Sequence, residues 1–539
     1  MQSYGNRYGA DSQLIELDEH RITHFQLNQR NKMKKRTFVI FGLIFLSVII
    51  TLFFVLIESD KSRTYTQKNQ LAIPKLIDSR EVGHSIELTL QNAKHEFFSG
   101  IKSSTKGFNQ SYLGPTIRLY KGHTTRIKFK NKLEEPITIH GHGLHVEGKV
   151  DGGPQSKILT GTSRTVDLPI VQEAGTSWYH PHLMGKTAEH VHSGLAGLYL
   201  IEDENSQKLP LPRNYGVNDI PLIIQDRSFV NGKMQPYAVT NDQIMDGLRE
   251  ETLVTNGTIN PHLNVPAGWV RLRLLNGSNA RFYRFYFADH IPFYKIATEG
   301  GFLNKPVEIT SLIMAPGERN EIMIDLSSQK SLDFMAEFLP ADPEGIDPGD
   351  VENFAEIGEL LSTFFLPDTP VQRVVEIRTD SLLQASGTLP EQLNNIAFYN
   401  QADQHSAVKR TFTLDMDMAD DNGPIHEQNM LSINGQSMNM GIINERVKKG
   451  NLELWTITAE MMPHPFHVHG VSFQILSLNG LPPAEEDKGW KDTVIVTEQP
   501  TEILMRFNHI ATEEYPYMYH CHILEHEDAG MMGQFTVTD

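Results

Sequence analysis

His520-Cys521-His522-Ile523-Leu524-Glu525-His526, with Met531 a few residues on, decides how the rest of this chain is read. Cys521 is the only cysteine in 539 residues, so no intrachain disulfide accounts for it. A lone cysteine is ordinarily a small buried hydrophobe. Its neighbours here point elsewhere. Thiolate, imidazole and a distant thioether are the donors of a trigonal His₂Cys copper site with a weak axial Met, a site that carries electrons. Cys521, His526 and Met531 supply three of those four donors in one loop. Successive side chains on a strand face opposite ways, so His520 and His522 share one face and Cys521 takes the other. A metal on Cys521 is then one peptide unit, in either direction, from metals on His520 and His522.

Further His-x-His pairs occur at His140/His142, His180/His182 and His467/His469. One such pair carries little weight, because solvated histidine pairs are common. Four pairs, split between an early segment and the last quarter of the chain, suit one shared metal cluster. In Met462-Pro463-His464-Pro465-Phe466-His467-Val468-His469-Gly470, His464 lies three residues before His467. An extended chain therefore turns His464 away from the His467/His469 pair. His464 then joins Cys521 and His526, while His467 and His469 join His520 and His522. These positions use ten of the 23 histidines and leave thirteen, so histidine content alone decides nothing.

The four motifs resemble those of the multicopper oxidases, and most of all the bacterial cuprous-oxidase (copper-efflux oxidase) branch of that laccase-like family. His140-Gly141-His142-Gly143-Leu144, continuing to Val150-Asp151-Gly152-Gly153-Pro154-Gln155, is similar to the first family motif. Trp178-Tyr179-His180-Pro181-His182 resembles the second, His464 to Gly470 the third and His520 to Met531 the fourth. The resemblance spans roughly residues 70 to 539 and implies four coppers. It assigns His464, Cys521, His526 and Met531 to a type 1 copper. His140 and His467 fall to a type 2 copper, and His142, His180, His182, His469, His520 and His522 to a type 3 pair. It also implies one-electron oxidation of a substrate at Cys521 and four-electron reduction of O2 to water at the cluster. Asp151 and Glu527 match positions where the family keeps acids that supply protons. Met416, Asp421, Glu460 and Met462 align with a Met/Asp substrate site above the type 1 copper, Glu460 replacing the usual Asp. Thioethers are soft donors that select Cu(I), so Cu(I) or another reduced metal ion is the expected substrate, with phenols as the rival. Each Met taken singly reads more readily as core filler. The branch's long Met-rich insertion is absent.

Gly141 stands where the family often has Trp, so looser packing is expected beside the type 2 site. His145 and a fifth His-x-His pair, His190/His192, have no ligand role in the pattern and read as surface histidines or neighbours of the ligands. Two alternatives to an oxidase make different demands on the sequence. A copper-free scaffold of the same fold, structural or associated with cell division, would lack several ligands, and this chain has all twelve. A two-domain copper nitrite reductase would have no His-Cys-His feeding a coupled pair.

Residues 38–57 run for 20 positions without a charge, which spans a bilayer core as a helix. A cleaved signal would have a shorter apolar region and a short leading segment. Arg30, Lys32, Lys34, Lys35 and Arg36 precede the run, whereas the charges after it cancel. The positive-inside rule then keeps residues 1–37, a polar tail, in the cytoplasm and the remainder outside, in a periplasmic or other extracytoplasmic space. Residues 58–70 read as a linker.

The rest suits three domains rather than one. Gly122, Gly268 and Gly450 each precede a period-2 strand, at Arg126-Ile127-Lys128-Phe129-Lys130, Val270 to Leu274 and Leu452 to Ile457. The expected fold is all-β: a transmembrane helix followed by three cupredoxin-like Greek-key sandwiches, as the family has. Their bounds are 71–205, 206–380 and 405–539, with 381–404 a linker. Ligands come only from the first and third, so the cluster is expected between them and the second is expected to be a spacer. Net charge of −18 argues against nucleic-acid partners and mildly for cationic substrates. Residues 342–359 form an acidic stretch without a base.

Overall fold

Three glycines with positive φ open three equivalent strands: Gly122 before Thr124–Asn131, Gly268 before Trp269–Asn276 and Gly450 before Leu452–Ala459. Each strand pairs in parallel with an earlier one, respectively Ser85–Phe98, Asp219–Arg227 and Val408–Met416. Each also pairs antiparallel with a later one, Ser163–Pro169, Arg319–Asp325 and Thr501–Arg506. The weak repeat in the sequence is thus a repeat of strand topology. The computed structural model describes residues 69–339, 370–417 and 430–539. The tail 1–37, the apolar span 38–57, residues 58–68 of the linker, the acidic stretch 342–359 and Asp421 lie outside the described residues. No helix among the described residues is long and apolar enough to cross a membrane.

The described chain is all-β, with helices of only a few residues. A five-stranded and a four-stranded sheet come first, and a six-stranded with a seven-stranded sheet follow. Two five-stranded sheets end the chain. Alternation along a strand decides the buried face: in Thr124–Asn131 the buried positions are Thr125, Ile127, Phe129 and Asn131. Each sheet pair encloses its own apolar cluster, around Leu88 and Phe129, around Leu272 and Phe285, and around Trp455 and Phe535. Burying each such large side chain contributes roughly 1.5–3 kcal/mol.

One strand falls across an expected boundary. Asn69–Gln70, at the end of the expected linker, pairs in parallel with Pro261–His262 and so joins the six-stranded sheet of the middle region. Two places in this fold receive the histidine motifs. The short strand His140–His142 lies at the edge of the first five-stranded sheet, beside Gly175–His180. In the last sheet, His464–Val468 lies between Tyr517–Cys521 and Thr493–Val496.

Candidate metal centre

Register in the last sheet sorts the donors by face. His467 sits opposite His520 and Phe466 opposite Cys521. His464 Nδ1 is 3.3 Å from Cys521 Sγ and 3.3 Å from His526 Nδ1, and Sγ is 3.6 Å from His526 Nδ1. The helix Leu524–Ala529 brings His526 back to the cysteine. Met531 is pinned beside them by its backbone, its N–H donating to His526 O and its C=O accepting from Cys521 N–H. All four side chains are sealed from solvent.

The opposite face carries the second cluster. Donor atoms of His182, His469 and His520 lie within 4.8 Å of one another, as do those of His140, His142 and His180, and those of His140, His467 and His469. His522 completes the set, its ring centroid 5.0 Å from that of His142 and 5.6 Å from that of His180. Every one of these histidines is buried. The structure therefore brings the twelve sequence-derived ligand positions into two adjoining groups, joined covalently through Cys521.

Four of the imidazoles are oriented by a backbone carbonyl at the other nitrogen. A carbonyl can only accept, so His140 Nδ1 donates to Asp151 O at 3.0 Å and His467 Nδ1 to Asp492 O at 2.7 Å. His180 Nδ1 donates to Pro181 O and His520 Nδ1 to Cys521 O. The Nε2 lone pairs are then turned inward and face one another: His182 to His520 at 3.3 Å and His469 to His520 at 3.2 Å. Nε2 of His140 and His467, and both ring nitrogens of His522, have no hydrogen-bond partner. Protons do not relieve this crowding. Burial first, and neighbouring imidazoles second, push the basicity of His180, His182, His469 and His520 well below that of free histidine. Converging neutral lone pairs in a dry site are stabilised by a metal cation, and imidazole with thiolate suits copper. Burial also pushes the Cys521 thiol up, so a cation is what would draw out its thiolate.

Carboxylates line both ends. Asp151 Oδ2 accepts from His469 Nδ1 at 2.9 Å, and its Oδ1 is unpartnered. Glu527 oxygens stand 3.3 Å from His182 Nδ1 and 3.3 Å from His520 Nδ1, and burial raises its carboxyl well above the usual range. Asp492 was not found from the sequence. Its Oδ1 accepts from Arg319 Nη1 at 2.8 Å and lies 3.2 Å from His142 Nε2. Burial would raise its proton affinity, but Arg319 and His142 hold it well below the usual range. The only local sign was a Lys491-Asp492 charge pair entering the apolar strand Thr493–Val496.

The middle region also reaches the site, so the spacer role expected for it needs amending. Arg319 comes from it, and the Met245 carbonyl, at the end of helix Asn241–Asp246, accepts from His526 Nε2 at 2.8 Å. Looser packing at Gly141 is not seen either. A Cβ there would meet Leu144 Cδ1 at 2.7 Å, so Leu144 already fills the space. His190 and His192 are buried rather than on the surface; His190 lies 3.3 Å from Glu135 and His192 2.9 Å from Glu250. His145 is half-buried against Ser472 and joins neither cluster. Of the expected substrate residues, Met416 and Met462 are core side chains and Glu460 is exposed. Glu460 N–H donates to Leu414 O, two residues before Met416.

This geometry has relatives. A family model described as multicopper oxidase matches residues 89–206, and another of that description matches residues 405–539. The chain is 37% identical over 469 residues to a cell division protein FtsP of Photorhabdus laumondii subsp. laumondii, covering 87% of this chain and 92% of that protein. It is 36% identical over 480 residues to the multicopper oxidase mco of Staphylococcus aureus, covering 87% and 93%. Among solved structures it superposes on the laccase-like multi-copper oxidase CueO of Ochrobactrum sp. with a TM-score of 0.75 at 34% identity, covering 87% of this chain and all of that one. The fold is accordingly cupredoxin-like and multidomain. With relatives this similar along most of its length, and with copper binding implied by their shared family, the chain belongs to the multicopper oxidase family.

Proposed function

We propose that this chain is an active oxidase that takes electrons singly from a reduced metal ion or a phenol and delivers them to O2, using four coppers. His464, Cys521, His526 and Met531 would hold one; His140 and His467 another; His142, His180, His182, His469, His520 and His522 the remaining pair. Bound copper supplies the one-electron redox chemistry and the reduction of O2 to water. The residues supply the rest. Cys521 joins the two donor sets through the peptide units of His520 and His522. Backbone carbonyls fix imidazole tautomers, burial excludes water, and Asp151 and Glu527 place carboxylate oxygens beside His469, His182 and His520, where protons are needed. The observation that carries this reading is the set of inward-facing lone pairs in two water-excluded groups.

The substrate reading rests on Glu460, exposed beside Met462, with Met416 close by in the strand and Asp421 following it. Residues 38–57 would anchor the chain in a membrane once, with residues 1–37 cytoplasmic and the oxidase outside. Three sandwiches bounded at 71–205, 206–380 and 405–539 fit the three sheet pairs. The relatives named for cell division favour a second reading, a scaffold without turnover. Copper analysis with O2 uptake on Cu(I), Fe(II) and a substituted phenol separates the two. Four coppers, a visible thiolate band and turnover support the oxidase. Copper-free, colourless protein after loading would sink it.

A further inference from the structure

We propose that Met184, Met438 and Met440 form a binding site for a soft monovalent cation of the Cu(I) class, separate from both histidine groups and from Met416 and Met462. The three residues line one cavity of about 540 Å³. Met184 comes from the segment after His182, and Met438 and Met440 from the segment after strand Leu431–Ile433.

Each segment is fixed by its backbone, and the thioethers are left to the cavity. Asn434 and Gly435, at φ 55 and 70, turn the chain between Ile433 and Gln436, which exchange both backbone hydrogen bonds at 3.2 Å. Met438 N–H then donates to Gly530 O at 2.9 Å. Gln534 Nε2 donates to Met440 O at 3.0 Å and to Ile442 O at 2.6 Å, and its Oε1 accepts from Gln155 Nε2 at 2.7 Å. On the other segment, Lys186 N–H donates to Leu183 O at 2.8 Å and Gly185 lies at φ 71, a turn with Met184 in its second position.

Packing does not account for these methionines. Met416 and Met462 are 6% and 7% exposed, as core side chains are, whereas Met440 is 38% exposed and Met184 and Met438 are half-buried. The described residues that line the cavity carry no carboxylate, imidazole or ammonium group. A hard cation such as Mg(II) is held through carboxylates, and would find only neutral amide and hydroxyl oxygens here. Thioether sulfur is a soft donor that selects Cu(I). Met is unbranched with three rotatable bonds, so three partly exposed thioethers can close on one ion without moving the backbone. Binding forms sulfur–metal bonds only, and no proton or electron is transferred.

The test is a titration of the full, copper-loaded chain with Ag(I), a soft cation that an oxidase cannot turn over. Equilibrium dialysis gives the stoichiometry, and nuclear magnetic resonance of labelled Met ε-methyl groups reports which side chains respond. Parent is compared with the Met184→Leu, Met438→Leu, Met440→Leu triple variant and with the Met416→Leu, Met462→Leu variant. Leu keeps the apolar volume and removes the sulfur. In the parent, one bound Ag(I) is expected to move three of the 19 Met methyl signals, the three that the triple variant lacks. The triple variant is expected to take up one Ag(I) fewer, and the Met416 and Met462 variant to keep that ion. Excess Mg(II) is expected to displace none of it. Equal Ag(I) uptake by parent and triple variant would overturn the proposal, as a purely apolar contact patch would require. So would Ag(I) saturating the parent without moving those three signals. Copper content is expected to be the same in parent and triple variant, so loss of this site and failure of the oxidase reading are distinct results.

Discussion

Asp492 joins all three sheet pairs at a single carboxylate. It accepts from Arg319 of the middle region, lies 3.2 Å from His142 of the first, and is itself part of the third, 3.6 Å from His467. Arg319 is fully buried, so Asp492→Ala leaves an uncompensated guanidinium. Breaking a buried pair this way costs about 3–5 kcal/mol, although the Thr176 and Gly317 carbonyls still accept from Arg319. Urea unfolding of metal-free Asp492→Ala is expected to show a loss of that order; an unchanged midpoint would remove this account of the residue. Met416 and Met462 call for gentler chemistry, because both lie in the core and truncation to Ala would cost about 2–5 kcal/mol each by cavity formation. Leu keeps the volume and removes the sulfur. Met416→Leu with Met462→Leu is expected to depress Cu(I) oxidation severalfold and leave phenol oxidation within twofold. Equal losses on both substrates would count against a thioether site for the metal.

At the scale of elements, the short helix Asn241–Asp246 acts as a clamp on the cysteine site. A capping box at Thr240 and Gln243 starts it, and Gly247 ends it at φ 77 and ψ 147, a region that side-chain-bearing residues avoid. A Cβ at Gly247 would also meet Ala280 Cβ at 2.3 Å. Gly247→Ala is therefore expected to cost about 1–3 kcal/mol or more and to displace Met245 O from His526, changing the visible spectrum of copper-loaded protein. An unaltered spectrum would show that the clamp does not orient His526. The clamp could not be read from the sequence, and neither could Asp492. Both act on residues far along the chain, through a backbone carbonyl in one case and a lone acid in the other, and neither leaves a periodic trace. The faces of His464, His467 and Cys521 were legible because strand alternation is local, with a period of two. The three repeated strands were legible for the same reason, each announced by a glycine. Leu144 filling the space at Gly141 depends on a turn that alternation does not describe.

For the molecule as a whole, the cluster is a joint between sheet pairs distant in sequence. His140, His142, His180 and His182 come from the first pair, and His467, His469, His520 and His522 from the last. Without a cation their facing lone pairs oppose that closure. A ligand that binds only the folded state stabilises it by RT ln(1 + [L]/Kd), about 2.7 kcal/mol at a hundredfold excess over Kd. Copper-loaded protein is therefore expected to melt several degrees above the chelator-treated form. The donors at Cys521 lie on the far face within one sheet pair, so losing that site should take only part of the gain. Cys521→Ser is expected to abolish the visible band yet keep most of the copper-dependent rise in melting temperature. His182→Ala, which removes one cluster donor, is expected to keep the band and lose much of the rise. If Cys521→Ser removed the whole rise and His182→Ala none of it, the joint between the sheet pairs would owe nothing to the shared cluster.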